Sequence, residues 1–364
     1  YTYHSTQTLI VNESPVLTQE RTFNRYHLLI QEVTTQNGHV HRVISEYAIN
    51  HNQPFHQQVA YCQLPIKKKQ TWYLTGDINQ LRSCTTSSTY NNRGLITSHT
   101  KETGEVEHYT YYSPDGEDSE GYFCPPDPEG FVRYLRDKTV TPTVGQLGST
   151  APKLLTCFSY TSLSSLAYEQ MGDSILVREE NLFELKDNTQ FALQKTLTTY
   201  IDTPSAPLLH GRLNNKTVIV DTTALTTEYN YELDDDPTLL VVTQIDRTNV
   251  LDQQPLSKTS VTKLSIFDAE PRQRIENSIV QTYRYDSLGR LTQETIAPGT
   301  EVEASKFYTY TLSVEGSQSK QVTLNVDGVE THTYFDGLNR AVREARLDPT
   351  AGVFAGEEVR TYSA

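Results

Sequence analysis

Polar and apolar residues alternate one by one along most of this chain. The alternation is clearest in Tyr1–Tyr3, Thr217–Val220, Tyr229–Tyr231, Tyr283–Tyr285 and Phe307–Tyr310, which are rich in Thr, Val and Tyr. A period of two places successive side chains on opposite faces of a strand, and these residue types suit a pleated sheet. No stretch keeps a helical apolar period beyond about three turns. The pattern predicts an all-β, mostly antiparallel fold with less than about a tenth of the residues in helices.

Turn-forming dipeptides separate the alternating runs. Asn37-Gly38, Asp115-Gly116, Pro298-Gly299 and Asp327-Gly328 are typical of tight connections between paired strands. The chain is therefore expected to fold as a series of β-hairpins. One short helix is predicted, at Ser162–Met171.

One hairpin unit recurs. Its sharpest copy is Tyr285-Asp286-Ser287-Leu288-Gly289-Arg290-Leu291, and Phe335-Asp336-Gly337-Leu338-Asn339-Arg340 repeats its order. In each copy we expect the Asp to accept hydrogen bonds from backbone NH groups of the turn. We expect Gly289 to adopt a backbone conformation with positive φ, and the Arg to lie over a Tyr ring of the neighbouring hairpin.

Weaker copies occur upstream, at Phe267–Glu276, Tyr90–Ile96 and Phe23–Leu29. The repeat is thus degenerate in residues 1–264 and clearer in residues 265–364. Because the alternation runs through both parts, we expect one continuous β-sheet body.

Composition narrows the choice of partners. The 364 residues carry a net charge of −14, which disfavours binding to nucleic acid or anionic lipid. No apolar run approaches the roughly 18 residues of a membrane span. The four cysteines, Cys62, Cys84, Cys124 and Cys157, form no CxxC pair and are expected to be buried or half-buried thiols.

Candidate metal sites in the sequence are weak. His39 and His41 share a strand face, and His51 and His56 follow, but a site also needs further ligands and supporting contacts. The acidic run Glu232–Asp236 lacks the Gly and the spacing of a calcium loop, so we expect a solvated hairpin tip. No cofactor or metal is predicted.

Catalytic signatures are equally weak. Glu179 and Glu180 are adjacent, so on a strand they point to opposite faces and make a poor acid–base pair. The basic run Lys67–Lys69 is expected to be a solvated loop tip. A nucleophile elbow, a phosphate-binding loop and a zinc-protease motif are absent from the sequence. The chain is therefore expected not to be an enzyme.

The segment Tyr285–Leu291, with its second copy at Phe335–Arg340, resembles the YD repeat of RHS proteins. That superfamily includes the B and C subunits of bacterial insecticidal Tc toxin complexes, RHS polymorphic toxins and the animal teneurins. The resemblance covers residues 265–364 clearly and residues 1–264 only through degenerate copies. It implies a β-sheet that spirals into a hollow shell around a toxic polypeptide. Implied partners are the other repeats or toxin subunits and the enclosed polypeptide, in a secreted bacterial protein.

The chain departs from the family at one point. RHS shells end in an Asp-Pro-x-Gly-Leu core that supports self-cleavage. The comparable string here, Asp127-Pro128-Glu129-Gly130-Phe131, lies mid-chain and lacks the Leu. A protease role is not transferred to it, and a Pro-Gly turn between strands is the expected structure.

The function expected from the sequence is therefore non-enzymatic encapsulation by a segment of an RHS shell. An alternative is a β-rich surface module that binds carbohydrate or a host protein, and a further one is a glycosidase or lyase. The chain is expected to be a piece of a longer protein. Strands interrupted at Tyr1–Tyr3 and Thr361-Tyr362 would then favour self-association, more strongly at high salt.

Overall fold

The computed structural model describes residues 1–11, 13–143, 151–166, 172–187, 189–249, 256–312, 318–336, 339–348 and 353–354. The strands are β1 (Thr2–Val11), β2 (Ser14–Asn24), β3 (Leu29–Gln36), β4 (His39–Tyr47), β5 (Pro65–Leu74), β6 (Asp77–Tyr90), β7 (Ile96–Thr100), β8 (Val106–Tyr111), β9 (Glu117–Ser119), β10 (Tyr122–Cys124), β11 (Leu135–Thr141), β12 (Lys153–Leu163), β13 (Ser174–Lys186), β14 (Thr189–Tyr200), β15 (Leu213–Val220), β16 (Thr223–Leu233), β17 (Leu239–Asn249), β18 (Leu256–Ser265), β19 (Pro271–Glu276), β20 (Ile279–Tyr285), β21 (Leu291–Ile296), β22 (Ala304–Thr311), β23 (Ser319–Leu324), β24 (Glu330–Phe335), β25 (Ala341–Asp348) and β26 (Val353–Phe354).

The all-β prediction is confirmed. One long sheet takes in every strand except β9 and β10, which pair with each other, and every pairing given between described strands is antiparallel. Strands of the long sheet lie beside the strand that precedes them in the chain, except that β11 pairs with β8 because the β9–β10 hairpin stands outside this sheet. The sheet is therefore a succession of hairpins. Helical structure among the described residues is a single 3-10 turn, Phe55–Gln57.

The chain divides into two compact units. The first comprises residues 1–211 and 218–221, and the second comprises residues 212–217 and 222–364. The first unit contains β1–β14 and the second contains β16–β26, while the residues of β15 are divided between the two. The sequence-based division at residue 264 concerns the clarity of the repeat and stays a prediction.

Hairpin connections differ in length between the two ends of the strands. In the first unit, β3–β4 and β5–β6 are joined by tight turns at Asn37-Gly38 and Thr75-Gly76. Connections at the opposite end are longer, and they include residues 48–64 and 112–134. Long insertions there leave the strand pairing intact, because they do not interrupt the backbone hydrogen bonds between the strands.

Few side chains in the described residues are fully buried. The buried apolar residues are Val40, Cys62, Tyr112, Cys124, Leu155, Cys157, Tyr160, Leu163, Leu240 and Ala345. Large apolar side chains such as Phe267 and Leu256 are 80% and 73% exposed. Backbone pairing and half-buried side chains therefore stabilise most of the sheet, rather than one continuous apolar core.

Two local predictions are wrong. Ser162 and Leu163, where a helix was expected to begin, lie in β12 and pair with Ile175 and Ser174; residues 167–171 lie outside the described part. Lys67–Lys69 is not a loop tip but lies within β5, between β4 and β6. A run of three lysines can occupy a strand because their long stems cover the sheet while the charged heads reach water.

The cysteine prediction is confirmed. Cys62, Cys124 and Cys157 are buried and Cys84 is half-buried, all as free thiols. Burial raises the pKa of both the Cys124 and the Cys157 thiol to about 11, so both stay protonated near neutral pH. In the part of the chain that the structure describes, no helix is both long and apolar enough to cross a membrane.

Candidate functional site

The turn at Asp286 has the geometry expected from its sequence. Asp286 Oδ1 accepts hydrogen bonds from the backbone N of Leu288 (2.9 Å) and Arg290 (3.0 Å). Its Oδ2 accepts one from Arg290 Nε at 2.7 Å. Gly289 has a φ of +75° and donates its backbone NH to the Asp286 carbonyl. The carboxylate thus holds a five-residue connection closed, and we call this arrangement an Asx turn.

The second copy closes in the same way. Asp336 Oδ1 accepts the backbone NH of Arg340 at 2.9 Å, and its Oδ2 accepts Arg340 Nε at 2.8 Å. Asn339 takes the place of Gly289, with a φ of +60°. Asn tolerates the left-handed conformation better than most residues, which explains this exchange. Residues 337 and 338 lie outside the described residues.

Two degenerate copies are Asx turns as well. Asn24 Oδ1 accepts the backbone NH groups of Tyr26 and Leu28, at 2.9 and 3.1 Å. Asn91 Oδ1 accepts those of Arg93 and Leu95, both at 3.0 Å. Amide oxygens therefore replace the carboxylate where the sequence match is weak.

The string at Asp127 is a fifth Asx turn, and its carboxylate is buried. Asp127 Oδ1 accepts the backbone NH groups of Glu129 and Phe131, both at 2.9 Å, and Oδ2 accepts Arg133 Nε at 2.6 Å. The side chain is 1% exposed, against 23% for Asp286. Both carboxylate oxygens are engaged in closing the turn. The expected Pro-Gly turn is confirmed, although it lies between β10 and β11 and not within one hairpin.

The weak copy at Phe267–Glu276 folds differently. Its loop is closed by Ser265, whose backbone NH donates to the Glu270 carbonyl and whose own carbonyl accepts from Ala269. Asp268 lies inside this loop and pairs with Arg272 at 2.6 Å. The aromatic residue before the acid, Phe267, is exposed and does not end a strand. Asp268 Oδ1 nevertheless accepts the backbone NH of Glu270 at 3.0 Å, so the contact expected of the repeat acid is present although Ser265 closes the loop.

Arginines stack on tyrosines beside the turns. The Arg290 guanidinium carbon lies 4.6 Å from the ring centroid of Tyr310, on β22. Arg272 lies 4.7 Å from the Tyr285 ring. The expected contact between a turn arginine and a neighbouring hairpin is thus present at Arg290.

A β-bulge accompanies the turns. Arg284 pairs with Gln293 and Tyr285 pairs with Leu291, so Thr292 has no residue opposite it. The same shift occurs beside an aromatic residue in other strand pairs, in most of them at or next to the end of the strand that carries the aromatic residue. The pairs next to such shifts are Phe23 with Leu29, Tyr47 with Pro65, Tyr90 with Ile96, Tyr111 with Leu135, Tyr160 with Val177, and Phe335 with Ala341.

Tyrosine hydroxyls bond to the backbone carbonyls beside these bulges. A bulge disrupts the ladder locally, so a carbonyl next to it needs another donor. In six places that donor is a tyrosine at or near the end of the following strand of the sheet, at 2.8 to 3.1 Å. The bonds are Tyr47 to Leu29, Tyr90 to Pro65, Tyr111 to Ile96, Tyr160 to Leu135, Tyr200 to Val177 and Tyr310 to Leu291. We call these six residues the tyrosine ladder.

The hydrogen bonds of the tyrosine ladder give a physical reason for the high tyrosine content of the chain. The sequence has 23 Tyr against 11 Phe. A phenylalanine could fill the same space, as Phe23 and Phe335 do, but it cannot donate to the carbonyl beside the next bulge. Each ladder tyrosine thus links its own strand to the start of the strand before it. The sequence analysis missed this role, because the acceptors are backbone atoms.

The segment between β8 and β11 covers part of one face of the first unit. Tyr112 is 1% exposed, and its hydroxyl donates to the Phe158 carbonyl at 2.6 Å. Its ring meets the Tyr160 ring edge-on, with centroids 5.9 Å apart. Burial raises the pKa of the Tyr112 hydroxyl to about 12. Together with Cys124, these two tyrosines form the buried cluster of this unit.

Ion pairs made by Arg136 hold the same segment, and we call them the charged clasp. Arg136 Nε and Nη2 bind the two carboxylate oxygens of Glu117 at 2.9 and 3.0 Å, and Nη1 binds Asp137 at 2.7 Å. The Arg136 guanidinium carbon lies 3.6 Å from the centroid of the Tyr122 ring. Hydrogen bonds from Arg136 lower the pKa of Glu117, so the clasp stays charged in mildly acidic solution.

Side chains that the sequence analysis considered as metal ligands contact other residues of the sheet. The His41 ring stacks on the Trp72 indole at 5.0 Å, and Arg82 lies 5.9 Å from the indole centroid. Their strands flank β5 on opposite sides, so His41 and Arg82 lie on either side of Trp72. In the acidic run, Asp234 pairs with Lys263 at 2.5 Å. Among the described residues, no group of three or more His, Cys, Asp and Glu is arranged to hold a metal ion.

We expect the position of Gly289 to accept only residues that tolerate a positive φ. Gly289→Val should lower the free energy of unfolding by about 1–3 kcal/mol, because a β-branched residue is strained at positive φ. No atom lies within 4 Å of the position that a Cβ would take, so the cost is conformational. Gly289→Asn is the matched control, since Asn339 occupies the equivalent position, and it should cost less than about 1 kcal/mol. Urea midpoints measure both, and equal loss in the two variants would contradict the assignment.

We expect the hydrogen bonds of the tyrosine ladder to weaken at high pH. Burial raises the pKa of Tyr111, Tyr200 and Tyr310 above the ordinary value. A raised folded-state pKa means that stability is complete below about pH 10 and falls as the pH rises through the folded-state values. Phenolate absorbance and circular dichroism followed together should show late tyrosine ionisation accompanied by loss of strand signal. Full ionisation with the sheet intact would contradict this.

Comparisons with known proteins give distant structural similarity. No family model matches the chain, and no curated protein matches it. A chain in a structure titled "Crystal Structure of TcdB2-TccC3-Cdc42" matches with a TM-score of 0.22 and 11% identity, over 99% of this chain and 20% of that one. A porin-like protein from Bacteroides uniformis matches with a TM-score of 0.20 and 13% identity, over 92% of this chain and 95% of that one. This chain thus spans a fifth of the length of the first match. At these TM-scores neither likeness bears on function.

Proposed function

We propose that this chain is a non-enzymatic wall segment of an RHS-type shell, and that the shell encloses a toxic polypeptide of a secreted bacterial toxin. The observation that carries the proposal is the Asx turn at Asp286 and Asp336. The YD-like sequence and its closed geometry coincide there, with an Asp that binds the turn NH groups and an Arg that pairs with the Asp. Asn24 and Asn91 extend the geometry into the first unit.

Construction of the sheet supports a role as a wall. Strands of the long sheet pair with the next strand of that sheet along the chain, with β8 and β11 paired across the β9–β10 insertion, so the sheet can be lengthened one hairpin at a time without a new core. The described residues bury few apolar side chains, so little of the sheet is covered by a second layer. A broad sheet that is polar on both faces can separate an enclosed polypeptide from proteases and solvent.

Proteolysis of the native assembly that contains the chain tests containment. We expect proteinase K to leave a polypeptide that is protected inside the assembly and becomes digestible once urea opens the sheet. Mass spectrometry would identify the protected polypeptide. An assembly whose every segment is digested at the rate of its exposed loops would contradict containment.

The same material distinguishes the alternatives. A glycan array would detect a carbohydrate-binding module, and a polysaccharide panel would detect a glycosidase or lyase. We expect no glycan binding and no turnover, and either activity would replace the proposal.

A further inference from the structure

A cavity lies on the surface of the first unit, over strands β4, β5 and β6. Its volume is about 290 Å³, just below the range of roughly 300–1,000 Å³ that is typical of small-molecule sites. The residues that line it are Arg42, Ile44, Lys69, Thr71, Tyr73 and Leu81. None of them belongs to the Asx turns, the tyrosine ladder or the segment between β8 and β11, so those features do not account for the cavity.

Strand register explains why the lining side chains meet. Arg42 on β4 lies opposite Thr71 on β5, and Ile44 lies opposite Lys69. Residues that lie opposite each other, and residues two apart on one strand, share a face of an antiparallel sheet. Arg42 and Lys69 are therefore diagonal neighbours on one face, with Cβ atoms roughly 7 Å apart. Both side chains are long enough to reach one group placed between them.

The two cationic side chains lack a carboxylate partner within the described part of the chain. Glu46, the acid on the same face of β4, pairs with Lys67 at 3.5 Å. The Arg42 guanidinium instead donates to the amide oxygen of Gln31, from Nε at 3.1 Å and from Nη2 at 2.6 Å. Two positive charges thus stand together on a chain whose net charge is −14. An anion placed at this point would neutralise them.

Apolar groups form the rest of the cavity. Ile44, Tyr73 and Leu81 line it, and the Leu81 side chain is 50% exposed. Thr71 is 8% exposed, so it forms the floor, and its hydroxyl can donate a hydrogen bond. A ligand that matches this surface has an anionic oxygen on one side and an apolar group on the other.

We propose that this cavity binds a carboxylate that is joined to a small apolar group. The guanidinium of Arg42 and the ammonium of Lys69 hold the carboxylate, since both cations form charge-assisted hydrogen bonds with such oxygens. Ile44, Tyr73 and Leu81 cover the apolar group. A free organic acid and an acidic residue next to an apolar one in a polypeptide offer the same chemistry. The inference goes beyond containment and does not rest on it.

Three matched small molecules test the site in the full chain. 3-Phenylpropionate carries both groups, 3-phenylpropanamide lacks the charge, and acetate lacks the apolar group. We expect ligand-observed NMR to show saturable binding of 3-phenylpropionate in the millimolar range, because so small a ligand gains little binding energy. The amide and acetate should each bind at least about fivefold more weakly.

Lys68→Gln is the matched control for Lys69→Gln. Lys68 adjoins Lys69 on β5, so its side chain points to the other face, and both variants change the net charge equally. Both lysines are exposed, so neither change should affect folding. We expect Lys69→Gln to weaken 3-phenylpropionate binding about threefold and Lys68→Gln to leave it unchanged. Arg42→Gln combined with Lys69→Gln should weaken it about tenfold, with circular dichroism confirming that the sheet is kept.

A peptide distinguishes the two sources of the carboxylate. A short peptide of Gly and Ser that carries one Leu between two Glu residues presents the same groups on a backbone. If it binds more tightly than 3-phenylpropionate, and loses affinity in Lys69→Gln, the site takes a polypeptide segment. If it binds more weakly, the site takes a free organic acid. Either result supports the proposed ligand chemistry.

Three results would overturn the proposal. The first is a lack of saturable binding of both 3-phenylpropionate and the peptide at concentrations well above the millimolar range. The second is an equal loss of affinity in Lys68→Gln and Lys69→Gln, which would place the anion outside the cavity. The third is equal binding of 3-phenylpropionate and acetate, which would refute the apolar contact.

Discussion

Tyr112→Ala is expected to lower the free energy of unfolding by about 3–5 kcal/mol, the usual cost of removing a large aromatic ring from a packed site. Tyr112 is 1% exposed, meets the Tyr160 ring and donates to the Phe158 carbonyl. The change would leave a cavity where the covering segment meets the sheet. It would also leave a buried carbonyl without its donor.

Tyr112→Phe separates these two contributions. It keeps the ring and removes the hydroxyl, so we expect a loss of about 1–2 kcal/mol. Tyr1→Ala is the control, since Tyr1 is 93% exposed and should change stability by less than about 0.5 kcal/mol. Urea unfolding followed by circular dichroism measures all three. If Tyr112→Ala costs no more than Tyr1→Ala, the cluster does not hold the covering segment.

Asp127→Ala is expected to cost about 2–4 kcal/mol, because it leaves two backbone NH groups and a guanidinium without their buried partner. Asp286→Ala opens the same turn at a more exposed position, where water can replace the lost bonds, and should cost about 1 kcal/mol. The comparison is matched because both aspartates bind two turn NH groups and one Arg Nε.

Lowering the pH should weaken the stabilising effect of the Asp127 carboxylate. Burial raises the pKa of Asp127, but the NH groups of Phe131 and Glu129 and the Arg133 guanidinium outweigh it, so the pKa is lowered. A lowered folded-state pKa contributes stability above about pH 4, and that stability is lost as the pH falls through the folded-state value. The gap in stability between wild type and Asp127→Ala should therefore narrow below about pH 4. A gap that is independent of pH would show that the carboxylate charge does not stabilise this turn.

Local sequence predicted the features that depend on neighbouring residues. The period of two led to the antiparallel sheet, because side-chain alternation is a property of each strand alone. The order Tyr285-Asp286 followed by Gly289-Arg290 led to the Asx turn, because all of its hydrogen bonds close within five residues. The same reasoning held only in part at Phe267–Glu276, where Asp268 accepts the NH of Glu270 but Ser265 closes the loop.

Tertiary structure decided what depends on distant residues. The ladder bonds join Tyr47 to Leu29 and Tyr160 to Leu135, across insertions of unequal length between successive tyrosines. No fixed spacing could reveal them, and their acceptors are backbone carbonyls that every residue carries. Packing likewise buried the Asp127 turn and left the Asp286 turn half-buried. The sequence alone determined the all-β hairpin series and its turn chemistry, since both are local; the bulges, the ladder and the buried cluster arise only when separate hairpins meet.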